Sequence, residues 1–300
     1  MSAARPAIDG ILDGAIDLHC HSGPSPFPRR LDHVEAAKMA QAAGMRAIVV
    51  KSHHHSTVMD VRAMAPQLQG CSVQVFGGIA LNPQVGGLNP AAVDMALKMG
   101  GKVVWFPTIS STRHVEHVRA HPDLKFPKAS VTLEKTEPID IRTADGDLRP
   151  EVHAILRLAK EAGAVVSGGH MSPEQIGLLL DAACTAGVTR LLVSHPEYVI
   201  EATRDQVVRF AEAGALIEHC LCMYDDESEF YHWDVNVLKG WIDLVGADRT
   251  SLGSDLGQVN NPFPLDSFRK MLSKLHDVGV SEGDLRKMVA TNPARLLGLN

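Results

Sequence analysis

The chain has 300 residues, 45% of them hydrophobic and 21% charged, with a formal net charge of −6. This is the composition of a soluble globular protein whose core is large enough to need no disulfide support. With no long basic run and no apolar run near the ~20 residues of a bilayer span, neither nucleic acid nor membrane is an expected partner.

Five cysteines (Cys20, Cys71, Cys184, Cys220 and Cys222) are scattered, odd in number and without a Cys-x-x-Cys pair. A reducing, cytoplasmic setting is therefore expected. The first ten residues lack the apolar stretch of a signal peptide. Histidine is abundant, 15 residues against 3 Tyr and 3 Trp, and its placement governs the functional reading.

A short helical turn is expected over 8–14. Ile16-Asp17-Leu18-His19-Cys20-His21 then reads as a buried strand ending in two histidines. Regular alternation puts Asp17, His19 and His21 on one face, and Leu18 and Cys20 on the other. Three prolines among residues 22–28 make the next segment a rigid loop. A helix over about 31–43 stops at Gly44. Ala47–Val50 is a second strand running into Lys51-Ser52-His53-His54-His55. A helix near 57–68 leads to a third strand over 72–81. Asn89 caps the next helix and Pro90 opens it. The fourth strand, 102–106, is closed by Pro107.

Regularity breaks over 108–149. The turn-like Asp145-Gly146 predicts a small β-hairpin there, and a loop this long is commonly a lid. His114 and His117 are expected on its surface. Alternation then resumes with a helix striped by Val152, Ile155, Leu156 and Ala159. Strands over 164–168, 190–194, 215–222 and 250–254 follow, with helices between them. Helices near 265–277 and 282–298 come last. Strict βα alternation predicts a parallel sheet. Eight units predict an α/β fold of the (β/α)8 TIM-barrel type, one domain over 1–300 with a long insertion after strand 4. A dinucleotide fold lacks its Gly-x-Gly-x-x-Gly.

Barrel chemistry sits at the C-terminal ends of the strands. Those ends carry His19 and His21, Lys51 and His53, His170, His195, Glu218 with His219, and Asp255. One histidine at a strand end is usually structural. Four histidines and an aspartate on one mouth (His19, His21, His170, His195, Asp255) predict one or two divalent metal ions, zinc by preference and manganese as the alternative.

On these residues the chain resembles the metal-dependent amidohydrolase superfamily. That family carries a His-x-His after the first strand, single histidines after the fifth and sixth, and an aspartate after the eighth. His19-Cys20-His21, His170, His195 and Asp255 stand at those positions, and the tail 292–299 looks like the family's last helix. One departure is visible. Many two-metal members have a carboxylated lysine or a glutamate after strand four, where this chain has Trp105-Phe106-Pro107-Thr108.

The resemblance implies hydrolysis of an amide, lactam or lactone bond in a small organic substrate by a metal-activated water. Asp255 is the implied general base and acid. Lys51 and His53 are expected to polarise a carbonyl oxygen or hold a substrate carboxylate. His54 and His55 are expected as solvated loop residues, and His219 as a packed one. Phe27, Trp105, Tyr224, Tyr231 and Trp233 are candidate walls for an organic ring. Pairing into a homo-oligomer is expected by analogy.

Three alternatives stand beside this reading. A phosphoesterase of the polymerase-and-histidinol-phosphatase type shares the Asp17–His21 stretch and His53. It also wants a glutamate after strand three and an Asp-x-His near the last strand, where this chain has Asn82 and Asp255-Leu256-Gly257. A nonhydrolytic decarboxylase of the amidohydrolase superfamily keeps a similar metal shell. A barrel that binds metal without turnover is the remaining class.

Overall fold

The computed structural model describes residues 8–299. Its strands are β1 (Ile16–Cys20), β2 (Ala47–Val50), β3 (Gln74–Phe76), β4 (Gly78–Ala80), β5 (Val103–Trp105), β6 (Val165–Ser167), β7 (Leu191–Ser194), β8 (Leu216–Cys220) and β9 (Thr250–Gly253). They pair in parallel as two sheets, β1 to β3 and β4 to β9. Two junctions close them into a ring. β3 and β4 are one strand broken at Gly77, which lies so close to the Thr57 and Val58 backbone that a Cβ would come within 2.8 Å. Its first half pairs with β2 and its second half with β5. At the other junction the Asp255 N–H donates to the His19 carbonyl and the His21 N–H to the Leu256 carbonyl, both at 2.8 Å. The result is the expected eight-stranded TIM barrel.

Ile16, Leu18, Val49, Val103, Trp105 and Leu192 fill the barrel axis, and Leu296 and Leu297 of the last helix pack against this core. Outside, each helix turns an apolar stripe inward, and the expected stripe of Val152, Ile155, Leu156 and Ala159 is buried. The helix expected over 31–43 is His33–Ala42, held by a capping box of Asp32 and Glu35. The segment 57–68 splits into the helix Val58–Ala63 and a 3-10 turn, Ala65–Leu68, because Pro66 lacks the amide that would continue the α-helix. None of the helices among the described residues is long and apolar enough to cross a membrane.

β1 corrects the expected face assignment. Its register against β2 shifts between Asp17 and Cys20, so Leu18 and His19 together oppose Val49. This is a β-bulge, one extra residue that resets which side chains point inward. Leu18 joins Ile16 in the barrel axis, while Asp17 and Cys20 border the outer layer beside Leu31 and Phe268. His19 and His21 turn into the mouth without Asp17.

Asp17 fastens the seam instead. Its Oδ1 accepts from the N–H groups of His19 and Ser254, both at 3.0 Å, and its Oδ2 accepts from the Ser254 hydroxyl at 2.5 Å. Burial pushes its carboxyl up, a shift that the Ser254 hydrogen bonds only partly offset. Asp17→Ala strands two buried amides at about 1–3 kcal/mol each. The expected loss is about 3 kcal/mol of unfolding free energy, read from urea midpoints. A loss near zero would deny the clasp a role in stability.

The insertion after β5 is more ordered than an irregular excursion. It contains a helix, Thr112–Ala120, capped by Ser111. The expected hairpin reduces to a single antiparallel bridge between Arg142 and Leu148. The extended part is tied to the proline-rich loop, where the Ser130 N–H donates to the Pro26 carbonyl at 2.8 Å.

Candidate active site

The two β1 histidines are oriented by acceptors on neighbouring strands. His19 Nδ1 lies 3.0 Å from Glu218 Oε2, and His21 Nδ1 lies 3.0 Å from the Lys51 carbonyl. An ionised carboxylate and a carbonyl only accept, so each ring carries its proton on Nδ1 and turns an Nε2 lone pair toward the mouth. Burial pushes His21 down to about 3, which keeps it neutral. Burial alone would raise the Glu218 carboxyl, but His19 and Ser194 hold it below its usual value.

Asp255 completes the cluster. Its Oδ1 lies 3.0 Å from His21 Nε2 and 3.4 Å from His19 Nε2. Burial would raise this carboxyl, yet His19, His21 and His195 hold it well below the usual carboxylate range. Two imidazole nitrogens and a carboxylate oxygen thus converge on one point, the donor types that a divalent cation takes. The donor set fits a divalent metal on that ground. Asp255 and His195 both have left-handed backbones, with φ of 53° and 37°, the kind of strain that clusters at functional sites. Gly257 lies flat against the His21 carbonyl, where no side chain fits.

Lys51 is buried, with Nζ 3.0 Å from His19 Nε2 and above the Trp105 ring at 5.5 Å. Burial lowers its ammonium from the usual value. It therefore borders the donor cluster from β2, and the end of β5, Trp105-Phe106-Pro107-Thr108, brings neither an acid nor a lysine.

His170 and His195 complete the rim, their ring centres 4.9 Å apart and that of His195 5.7 Å from His19. Cys220 offers a further donor beside His19 and His195, but burial pushes its thiol well above the usual value. His170 Nδ1 meets His114 Nδ1 at 2.9 Å with the rings stacked. His114 is thus part of the site, not of a lid surface, because the helix Thr112–Ala120 folds it inward. His117, on the same helix, is buried as well and bonds Glu201 at 2.7 Å.

His53 is a different kind of histidine. Asn82 Oδ1 accepts from the Thr108 N–H at 3.1 Å, which fixes the amide so that Nδ2 donates to Thr108 Oγ1 at 2.6 Å. The Thr108 hydroxyl then gives its own proton to His53 Nδ1 at 2.8 Å. His53 is left with its proton on Nε2 and lines the cavity as a donor. Asn82 and Thr108, the ends of two further strands, were legible only as ordinary loop starts.

Further expectations change for His54, for His55 and for the cavity walls. His54 is buried, edge-on to Phe27 at 4.7 Å. His55 is half-buried and bonds Asp60 at 2.7 Å. The loop 51–55 packs under the proline-rich loop, which keeps both out of free solvent. The cavity walls are Phe27, Phe126, Tyr198 and Phe230; Trp105 lies below them in the axis, Tyr224 is spent on Glu197 at 2.6 Å, and Tyr231 is exposed. Arg29 also lines the cavity, and no motif marks it. His219 faces away from the mouth, as expected, and bonds Glu197 at 3.0 Å.

The model of a family of unknown function, DUF6282, matches residues 14–218. That span holds His19, His21, Lys51, His53, His170, His195 and Glu218. A comparison with curated proteins finds no match. Among solved structures, an amidohydrolase from Pseudomonas aeruginosa is similar with a TM-score of 0.66 at 11% identity, covering 98% of each chain. A 2,6-dihydroxybenzoate decarboxylase from Rhizobium has a TM-score of 0.57 at 12% identity, over 96% of this chain and 99% of that one. An N-acetyl-D-glucosamine-6-phosphate deacetylase from Mycobacterium smegmatis has a TM-score of 0.57 at 15% identity, over 96% and 78%. At these identities the likeness is one of fold, the TIM barrel that these enzymes share with this chain.

Proposed function

The chain belongs to DUF6282, a family of unknown function, and for it we propose a metal-dependent hydrolase that cleaves an amide, lactam or lactone bond in a small organic substrate. The supporting observation is the convergence of His19 Nε2, His21 Nε2 and Asp255 Oδ1. These three residues would hold a divalent ion, with His170 and His195 on the adjoining rim. A shell of neutral imidazoles suits zinc better than manganese. Such an ion lowers the pKa of water to about 7 and polarises a carbonyl oxygen.

The chain's own residues do the rest. Asp255, ionised at neutral pH, receives a proton at its carboxylate and passes it to the leaving group. His53 donates its Nε2–H to an oxygen of the substrate. Glu218 holds His19 in the ligating tautomer. The apolar walls limit access of bulk water to the reacting bond. Lys51, turned to His19, is not placed to hold a substrate carboxylate.

Metal analysis of the purified protein tests the reading. Bound divalent metal is expected, lost with activity on chelation and regained with added zinc. His19→Ala is expected to lose the metal; full metal content in that variant would defeat the reading. A screen of cyclic amides, linear amides and lactones then identifies the bond. The lack of an acid or lysine over 105–108 favours a single ion, and the same shell also serves a decarboxylase. Release of carbon dioxide from an aryl carboxylate, with the arene protonated in its place, would move the assignment there. The phosphoesterase reading lacks its strand-three acid, since Asn82 stands at that place with its amide engaged by Thr108 and Ser110.

A further inference from the structure

Arg29 lines the cavity beside His21, His53 and Asp255. Among the described residues no carboxylate forms an ion pair with it, and its Nε is buried without a partner. Its Nη2 lies 3.5 Å from His21 Nδ1. That nitrogen gives its proton to the Lys51 carbonyl and so has no lone pair to offer a donor. The guanidinium is nevertheless held in place. Its stem packs on Gly23, where an added Cβ would come within 3.3 Å, and its head lies 5.8 Å from the Phe27 ring centre. Residue 29 also pairs through its backbone with Gln258.

A part-buried cation whose charged neighbour, Asp255, lies beyond ion-pair distance is poorly compensated. A planar carboxylate answers it with two parallel hydrogen bonds in the fork geometry of guanidinium. The facing wall is apolar, with Phe126, Tyr198, Val199, Met223 and Phe230. A dianionic phosphate would want more than this one free guanidinium.

From this geometry we infer that Arg29 is the specificity residue of the cavity and binds the carboxylate of an apolar, preferably aromatic, organic acid. The body of that acid lies against Phe126 and Phe230, and its reacting bond is left to His53 and Asp255. Which bond is cut rests on the hydrolase reading above; the carboxylate contact needs no turnover.

Binding can therefore be measured apart from activity, by calorimetric titration of the full-length protein, metal-loaded and chelated. The probes are 3-phenylpropionate, its neutral amide, and phenyl phosphate. The wild type is expected to bind the carboxylate about 10- to 100-fold tighter than the amide in both metal states. Arg29→Met is expected to abolish that preference and leave amide binding unchanged. Should Arg29→Met fail to fold, the closely shaped Arg29→Gln carries the same test.

Three results would overturn the inference: a preference that survives without the guanidinium, a preference that vanishes on chelation alone, or tighter binding of phenyl phosphate. Absence of carboxylate binding by the wild type would do so too. A purified protein that takes up no divalent metal at all, yet shows the Arg29-dependent preference, would sink the hydrolase reading and leave the carboxylate site standing.

Discussion

Asp255→Asn is expected to lower kcat about 10²- to 10⁴-fold, the usual contribution of a positioned proton-transfer group, with the fold intact. Asparagine is the informative replacement for two reasons. Residue 255 has φ of 53°, and asparagine tolerates the left-handed region better than most residues. Its amide keeps an oxygen near His19 and His21 but cannot take up a proton. The loss should therefore appear in kcat, with circular dichroism and thermal midpoint close to wild type. Metal content measured on the same sample separates a weakened ion from a missing base. Activity within tenfold of wild type, with metal bound, would end the general-base assignment.

The chelated protein is expected to lose stability steeply below pH 6.5. Burial holds His21 and His114 down to about 3 and His195 to about 4. In the unfolded chain each of these imidazoles takes a proton near 6.5. Between those values the unfolded state binds more protons than the folded one, so stability rises with pH across the window. The contribution is fully present above pH 6.5 and is lost as pH falls toward 3. A single histidine displaced as far as His114 contributes about 5 kcal/mol over that range, at roughly 1.4 kcal/mol per pH unit. Urea midpoints at pH 7, 6, 5 and 4 read this directly. A flat profile would mean that these imidazoles are solvated, and His114→Phe should lessen the slope. The metal-loaded protein should show a steeper loss still, because its ligands must be deprotonated.

The barrel was legible because each strand is a short apolar run between glycine or proline punctuation, and because the ligand-type residues all follow such runs. His19, His21, His170, His195 and Asp255 needed only the rule that barrel chemistry gathers at the strand ends. Three features were not legible, each for a physical reason. The inward turn of His114 depends on where an insertion helix packs, which local periodicity does not encode. The proton position on His53 is set by Asn82 and Thr108, which reach it from two other strands. Arg29 acquires its meaning from the partners it lacks, and that is visible only in three dimensions.

The bulge in β1 separates two jobs that a regular strand would couple. Ile16 and Leu18 are set by packing in the axis, His19 and His21 by the mouth, and the bulge formed by Leu18 and His19, where the two pairs meet, decouples their alternation. Side chains at 16 and 18 can be exchanged for other apolar residues of similar volume without rotating either imidazole. Transplanting the His-x-His tripeptide onto an unbulged strand, by contrast, would put its histidines out of phase with the apolar positions that align them here. A designer borrowing this site should therefore take the six-residue frame from Ile16 to His21 as the transferable unit.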